Sequence, residues 1–130
     1  MAFDVIPCLT YRDAPAAIEW LTGTFGFEVA ASHPGEQPGT IAHAELAWAD
    51  GMVMLGSGGN PAIERPAGSG LVYVVVDDVK GHHERVTAAG AEIVTPLEDK
   101  GYGTDYTVRD PEGNLWSFGD YRPARPSSSA

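Results

Sequence analysis

TVRDPEGNLWSFGDY, residues 107–121, carries the clearest structural signal in this chain. A run of β-branched and aromatic residues meets an Asp-Pro-x-Gly-Asn turn, and a second run of the same kind follows. Pro111 fixes φ at the first turn position, and Gly113 accommodates a positive φ. Because strands joined by so short a turn pair antiparallel, the stretch predicts a β-hairpin.

The hairpin has a looser counterpart earlier in the chain. HAELAWADGMVMLGS (43–57) aligns with DYTVRDPEGNLWSFG (105–119), so that Gly51 falls opposite Gly113, 62 residues later. Both stretches place apolar runs on the two sides of a turn that contains glycine. The correspondence therefore predicts an earlier hairpin over residues 43–57.

A second correspondence precedes each hairpin. TYRDAPAAIEWLTGTFGFEV (10–29) aligns with VVVDDVKGHHERVTAAGAEIV (74–94), and Gly26 falls opposite Gly90, 64 residues later. Each stretch contains a β-branched run, an aspartate, a helix-length segment and a closing glycine. Two copies of about 55 residues indicate a pair of modules, because a solenoid needs three or more repeats.

Each copy is predicted to have the element order β-α-β-β-β. Asp13 is placed to cap the first helix, with Pro15 in its first turn, and Asp77 or Asp78 is placed to cap the second helix. Helices and mainly antiparallel strands in this order predict an α+β fold.

These elements predict a single domain over residues 1–121. The first module covers residues 3–58 and the second covers residues 70–121. The connector 59–69 is rich in Gly, Pro and Ser and is interpreted as a linker. Residues 122–130 have no apolar periodicity, which predicts a frayed tail.

Composition narrows the class of protein. The chain has 130 residues, 43% apolar and 20% charged, which is typical of one soluble globular domain. It has no 18-residue apolar run and no signal-peptide pattern, so we expect a cytoplasmic protein. Cys8 is the only cysteine, which excludes an internal disulfide and fits a reducing compartment.

Charge narrows the class of partner. The formal net charge of −10 disfavours nucleic acid, whose phosphates require a basic surface. The same charge fits a cationic ligand better than an anionic one, although it also promotes solubility. We therefore expect a small-molecule partner and neither nucleic acid nor membrane.

The repeated modules and the closing hairpin resemble the vicinal oxygen chelate superfamily, in particular its small bacterial glyoxalase-like, or PhnB-like, members. The superfamily includes glyoxalase I, extradiol dioxygenases and bleomycin resistance proteins. The resemblance covers residues 3–121 and is most specific in residues 8–29 and 106–120. It implies two βαβββ modules that form an incomplete barrel around a cleft, within a homodimer.

The resemblance also implies four positions for metal ligands. Transferred one at a time, these positions are Ile6, Leu55, Leu71 and Ser117. Aliphatic side chains cannot ligate a divalent ion, and serine is a poor substitute for histidine or carboxylate. A shift of one residue in either direction supplies no His, Asp or Glu. The chain is therefore similar to the drug-binding members, and we expect no metal and no cofactor.

Alternation along the strands assigns further residues to the cleft. If Ser117 faces the cleft, then Trp116 and Phe118 face the helices. By the same parity, Cys8 and Tyr73 face the cleft with Ile6 and Leu71, and Val53 faces it with Leu55.

Two polar or aromatic features keep two interpretations each. His43 and Glu45 share one strand face, where they contact a polar ligand group or form a solvent-facing polar pattern. Tyr102, between two glycines, closes the cleft or packs on the surface. On the second helix we expect His83 to be half-buried and His82 to be solvated.

Together these patterns predict a metal-independent protein that binds a hydrophobic or aromatic small molecule. The alternative is a glyoxalase-like lyase, isomerase or dioxygenase with a displaced metal site, and no catalytic residue is assigned. The predicted ligand-binding residues are Ile6, Cys8, His43, Glu45, Leu55, Leu71, Tyr73, Tyr102 and Ser117.

Overall fold

The computed structural model describes residues 5–58 and 66–123 and contains two copies of the predicted β-α-β-β-β module. The first module consists of β1 (Cys8–Thr10), α1 (Ala14–Trp20) with a π-helical extension (Leu21–Phe25), β2 (Glu28–Pro34), β3 (Ile41–Trp48) and β4 (Gly51–Gly56). The second consists of β5 (Leu71–Val75), α2 (Val79–Ala88), β6 (Glu92–Asp99), β7 (Thr104–Arg109) and β8 (Leu115–Gly119).

Each module forms one open four-stranded sheet. The strand orders are β1-β4-β3-β2 and β5-β8-β7-β6. The first strand of each module pairs parallel with the last, and the other pairs are antiparallel. This arrangement confirms the predicted α+β class with two βαβββ modules.

Equivalent residues begin and follow both helices. The Asp13 carboxylate accepts a hydrogen bond from the amide of Ala16 at 3.1 Å, and Asp78 accepts one from the amide of Gly81 at 3.0 Å. Asp78 rather than Asp77 is therefore the cap of α2. Gly26 and Gly90 follow the helices with φ of 99° and 81°, a region that glycine occupies at little cost.

The two modules share one core. Trp116 and Phe118 of β8 are fully buried, as the alternation predicted. Phe25 of the first module packs against them, with ring centroids 5.5 Å and 4.7 Å away. We call the opposite side of each sheet, away from this core, its open face.

The turn of the closing hairpin binds the two modules together. The buried Asp110 carboxylate accepts hydrogen bonds from the Tyr11 hydroxyl and, at 3.0 Å, from the Trp116 indole. The Glu112 carboxylate accepts from the amides of Arg12 and Asp13 at 2.6 Å and 2.8 Å, just before α1. Burial, reinforced by Asp110, raises the pKa of Tyr11, so its hydroxyl remains a donor.

A histidine forms a second contact between the modules. His82 Nε2 lies 2.9 Å from the Phe25 carbonyl, and its Nδ1 lies 2.6 Å from the Tyr106 hydroxyl. A carbonyl only accepts, so Nε2 carries the proton and Nδ1 accepts from tyrosine. The expectation that His82 is solvated is wrong, because the π-helical extension brings a carbonyl over α2. Burial lowers the pKa of His82.

One strand face also differs from the prediction. Met54 lies opposite Cys8 in the first sheet, as Ser117 lies opposite Tyr73 in the second. The matching offset for β4 is therefore 63 and not 62, because the first hairpin turn is one residue shorter. A shift of one residue exchanges the two faces of a strand.

Val53 and Leu55 consequently belong to the core. They are 4% and 3% exposed, and the expectation that they face a cleft is wrong. The predicted boundaries of linker and tail remain predictions, since residues 59–65 and 124–130 lie outside the described residues. In the described parts of the chain, none of the helices has the length and apolar character needed to cross a membrane.

Candidate functional site

A cavity of about 780 Å³ lies on the open face of the second sheet. We call it the tyrosine cavity. It is lined by Tyr73, Thr95, Lys100, Tyr102, Asp105, Thr107, Ser117, Tyr121 and Pro123.

Strand pairing positions the floor of the cavity. Ser117 lies opposite Tyr73 on one side and opposite Thr107 on the other. These side chains share one face because register partners point the same way, while Trp116 and Phe118 point into the core. The Thr107 and Ser117 hydroxyl oxygens lie 2.8 Å apart and hydrogen-bond each other.

Three tyrosines form the walls. The Tyr73 hydroxyl donates to the Tyr121 carbonyl at 2.7 Å. The rings of Tyr102 and Tyr121 meet edge to face, with centroids 5.6 Å apart. Tyr73 is 41% and Tyr102 is 64% exposed, so both rings have apolar surface available to a ligand.

The charged groups of the cavity are an ion pair and the carboxylates near it. Lys100 Nζ lies 3.3 Å from a carboxylate oxygen of Asp105, and this contact raises the pKa of Lys100. Partial burial, with the charges of Asp105 and Asp120, raises the pKa of Tyr73. The tyrosine is therefore a neutral hydrogen-bond donor, and the carboxylates of Asp105 and Asp120 lie close enough to act on it.

The structure brings together three of the predicted site residues. Tyr73, Tyr102 and Ser117 all line the tyrosine cavity. Leu71 precedes Tyr73 by two positions on β5 and is 67% exposed, but it lies outside the cavity lining.

The remaining predicted residues lie elsewhere. Cys8 is exposed and lines a separate polar pocket beside Gly70 and Asn114. Ile6 is half-buried and precedes β1. Leu55 is in the core. None of Cys8, Ile6 and Leu55 therefore lines the tyrosine cavity.

His43 and Glu45 lie on the open face of the first sheet, opposite the buried Ala44 and Leu46. His43 Nε2 and a Glu45 carboxylate oxygen are 2.8 Å apart. The ring of His33 stacks on His43 with centroids 6.0 Å apart. These residues form a polar cluster of their own, and none of them lines the tyrosine cavity.

A smaller apolar groove of about 270 Å³ runs between α1 and the closing hairpin, beside Trp20 and Pro111. Its polar groups, Asp110 and Glu112, already bind the first module. The groove therefore offers fewer free hydrogen-bonding groups to a ligand than the tyrosine cavity.

A sequence model of the Glyoxalase/Bleomycin resistance protein/Dioxygenase superfamily matches residues 5–118. The chain belongs to this superfamily. Rv0887c of Mycobacterium tuberculosis is 33% identical, over 92% of this chain and 77% of that protein. The crystal structure of TioX from Micromonospora sp. ML1 is 39% identical, with a TM-score of 0.79, over 93% of this chain and all of that one.

More distant superfamily structures share the fold. TnmS3, an antibiotic binding protein from Streptomyces sp. CB03234, is 22% identical with a TM-score of 0.72, over 95% of this chain and 99% of that one. The bleomycin-binding protein from Streptomyces verticillus, solved with copper(II)-bleomycin, is 23% identical with a TM-score of 0.64, over 91% and 95%.

The residues present do not fit the metal centre of metal-dependent superfamily members. With the corrected strand offset, the four positions are Ile6, Met54, Leu71 and Ser117. None is an imidazole or carboxylate, the groups that hold a catalytic divalent ion. Within residues 5–58 and 66–123, no three His, Cys, Asp or Glu side chains are placed to hold a metal ion.

Sequence reasoning missed part of the cavity. Strand alternation could have placed Thr107 and Asp105 in the cavity, because pairing with β8 puts alternate residues of β7 on the same face. The place of Tyr121 could not be predicted in this way, because Tyr121 follows the last strand and no periodicity fixes the direction of its side chain.

Proposed function

We propose that this protein binds hydrophobic or aromatic small molecules in the tyrosine cavity, without a metal. The observation that carries the proposal is the arrangement of three tyrosines over a floor of hydroxyl groups. Planar apolar compounds stack on tyrosine rings, and the hydroxyls of Thr107 and Ser117 supply a few polar contacts. This combination is typical of small-molecule pockets.

The apolar walls supply enough energy for useful affinity. Burying 200 Å² of ligand surface yields on the order of 5 kcal/mol at about 25 cal/mol per Å². The cost of association must be subtracted from this gain. Edge-to-face contacts with Tyr102 and Tyr121 add to it.

Superfamily structures support a binding role. TnmS3 is an antibiotic binding protein, and the Streptomyces verticillus protein binds bleomycin. At 22% and 23% identity these proteins share the fold with this chain, and the specific support comes from the tyrosine cavity itself.

The first test compares the two open faces. We expect 1-pyrenemethanol, a neutral planar compound, to bind and to raise the melting temperature. Tyr73→Ala should weaken its binding about tenfold, because a wall of the cavity is lost. His43→Ala is the matched control on the first sheet and should leave binding within about twofold. Fluorescence titration measures both, and equal affinity in the two variants would contradict the proposal.

Metal independence has its own test. We propose that the purified protein holds no stoichiometric divalent metal, since Ile6 and Leu71 stand at positions where metal-dependent superfamily members have metal ligands. Elemental analysis, followed by pyrenemethanol titration with and without chelator, measures this. One metal ion per chain, together with loss of binding in chelator, would overturn it.

We also propose a homodimer. The described part of the chain leaves apolar side chains exposed outside the tyrosine cavity, including Val29 and Leu71, and a second copy would remove these from water. The expected result in light scattering is twice the chain mass of 13.7 kDa. A mass of one chain across micromolar concentrations would contradict the dimer.

A further inference from the structure

We propose that the tyrosine cavity selects aromatic ligands that carry an ammonium group, which takes the place of Lys100 beside Asp105. The inference rests on the proposed binding function and adds the charge of the ligand and the residue that recognises it. It starts from the unequal partners of the Lys100–Asp105 ion pair in the cavity.

The carboxylate of this pair is fixed. Asp105 lies on β7, inside the second sheet, with Gly119 of β8 as its register partner. Its side chain is 18% exposed. A short side chain on a paired strand has few alternative positions, so the negative charge stays in the cavity.

The ammonium of the pair is on the more exposed partner. Lys100 follows the end of β6 and precedes Gly101, and its side chain is 36% exposed, twice the value for Asp105. An ion pair with an exposed lysine contributes little stability, because water competes and the long side chain loses freedom. Lys100 can therefore move into solvent and leave Asp105 to another cation.

The surroundings of Asp105 favour that exchange. Tyr73, Tyr102 and Tyr121 present aromatic rings to the cavity, and ammonium groups bind to tyrosine faces. A ligand that joins an aromatic system to an ammonium group gains stacking and a carboxylate contact together.

The nearby charges favour a cation over an anion. Glu98 and Asp99 directly precede Lys100, and Asp120 follows β8, the strand that pairs with β7. Asp120 accepts a hydrogen bond from the amide of Thr104 at 2.8 Å, which holds its charge near the cavity. An anionic ligand paired with Lys100 would face these carboxylates at short range.

The experiment uses three planar probes that differ in one group. They are 1-pyrenemethylamine, 1-pyrenemethanol and 1-pyreneacetate, which are cationic, neutral and anionic at neutral pH. We expect the amine to bind about tenfold more tightly than the alcohol, and the acetate to bind most weakly.

Variants of both partners locate the selectivity. Asp105→Asn keeps the shape of the side chain and should remove the advantage of the amine, while the affinity for the alcohol stays within about twofold. Lys100→Met keeps the apolar stem and should tighten amine binding about threefold by removing the competing ammonium. Glu36→Gln, an exposed position on the first module, is the matched control for loss of one negative charge.

The outcomes separate this inference from the function on which it rests. Equal affinities for the three probes, or tighter acetate binding that Lys100→Met abolishes, would overturn the charge selectivity and leave the binding function standing. Binding of none of the probes would overturn both. An amine preference that Glu36→Gln reduces as much as Asp105→Asn does would assign it to net charge and overturn the role of Asp105.

Discussion

The two modules have the same element order but different open faces. Strand pairing makes His43 of the first module equivalent to Asp105 of the second, and Met54 equivalent to Ser117. In the first module the polar side chains pair with each other. In the second they lie under a cavity. The repeated strands therefore provide equivalent positions, and those of the second module lie under the tyrosine cavity.

Two of the three cavity tyrosines lie outside the paired strands. Tyr102 lies in the connection between β6 and β7, and Tyr121 follows β8. In the first module, the connection between β2 and β3 and the residues that follow β4 contain no tyrosine. The two modules thus share a fold but differ in the side chains on their open faces.

The hairpin turns give the largest expected difference between modules. Asp110→Ala should lower the free energy of unfolding by about 3 kcal/mol or more, because the buried Tyr11 hydroxyl and Trp116 indole lose their acceptor. Asp50→Ala in the exposed first turn should change it by less than about 0.5 kcal/mol. Urea unfolding of both variants measures the contrast, and similar costs would contradict the assigned role of the second turn.

The helices give the next largest expected difference in the free energy of unfolding. His82 occupies the position of Ala17 in the first helix, counting from the caps Asp13 and Asp78. His82→Ala should cost about 1 to 2 kcal/mol, because the Phe25 carbonyl and Tyr106 hydroxyl lose a partner. His83→Ala, one position along, is the control in thermal unfolding and should cost less.

The same histidine predicts a pH dependence. Burial lowers the pKa of His82 in the folded state below its ordinary value of 6.5, so the unfolded chain takes up the proton first. Stability is therefore complete above about pH 6.5 and falls as the pH drops toward the lowered pKa. Unfolding free energies across this range should fall less steeply in His82→Ala than in His83→Ala. Parallel pH profiles would contradict the prediction.

The glycines after the helices give the smallest difference. Gly26→Ala and Gly90→Ala should each cost about 1 kcal/mol, since alanine is strained at positive φ. A Cβ at Gly26 would lie 3.0 Å from the Arg85 guanidinium, whereas Gly90 has open space. The first substitution should therefore cost slightly more in urea unfolding. A larger cost at Gly90 would contradict this ordering.

Much of the fold was predictable because each signal was local. The caps at Asp13 and Asp78, the glycines that follow the helices, and the alternation at Trp116 and Phe118 depend only on neighbouring residues. These features fixed the element order and the inward face of β8.

The sequence-based predictions were wrong where a one-residue difference in turn length, or a contact with a distant part of the chain, decides where a side chain points. Val53 and Leu55 were assigned to the wrong face because the first turn is one residue shorter than the second. His82 was expected in solvent because its partners, Phe25 and Tyr106, come from other elements. Helical spacing alone cannot reveal such partners.

The hydrogen bond between Tyr11 and Asp110 joins residues 99 positions apart in the chain. During synthesis at about 5 to 20 residues per second, the tyrosine waits roughly 5 to 20 s for its acceptor. Throughout that interval Phe25 also lacks Trp116 and Phe118. The first module therefore leaves the ribosome with its inner surface uncovered, and this is the period in which the nascent protein is most exposed to aggregation and to chaperones.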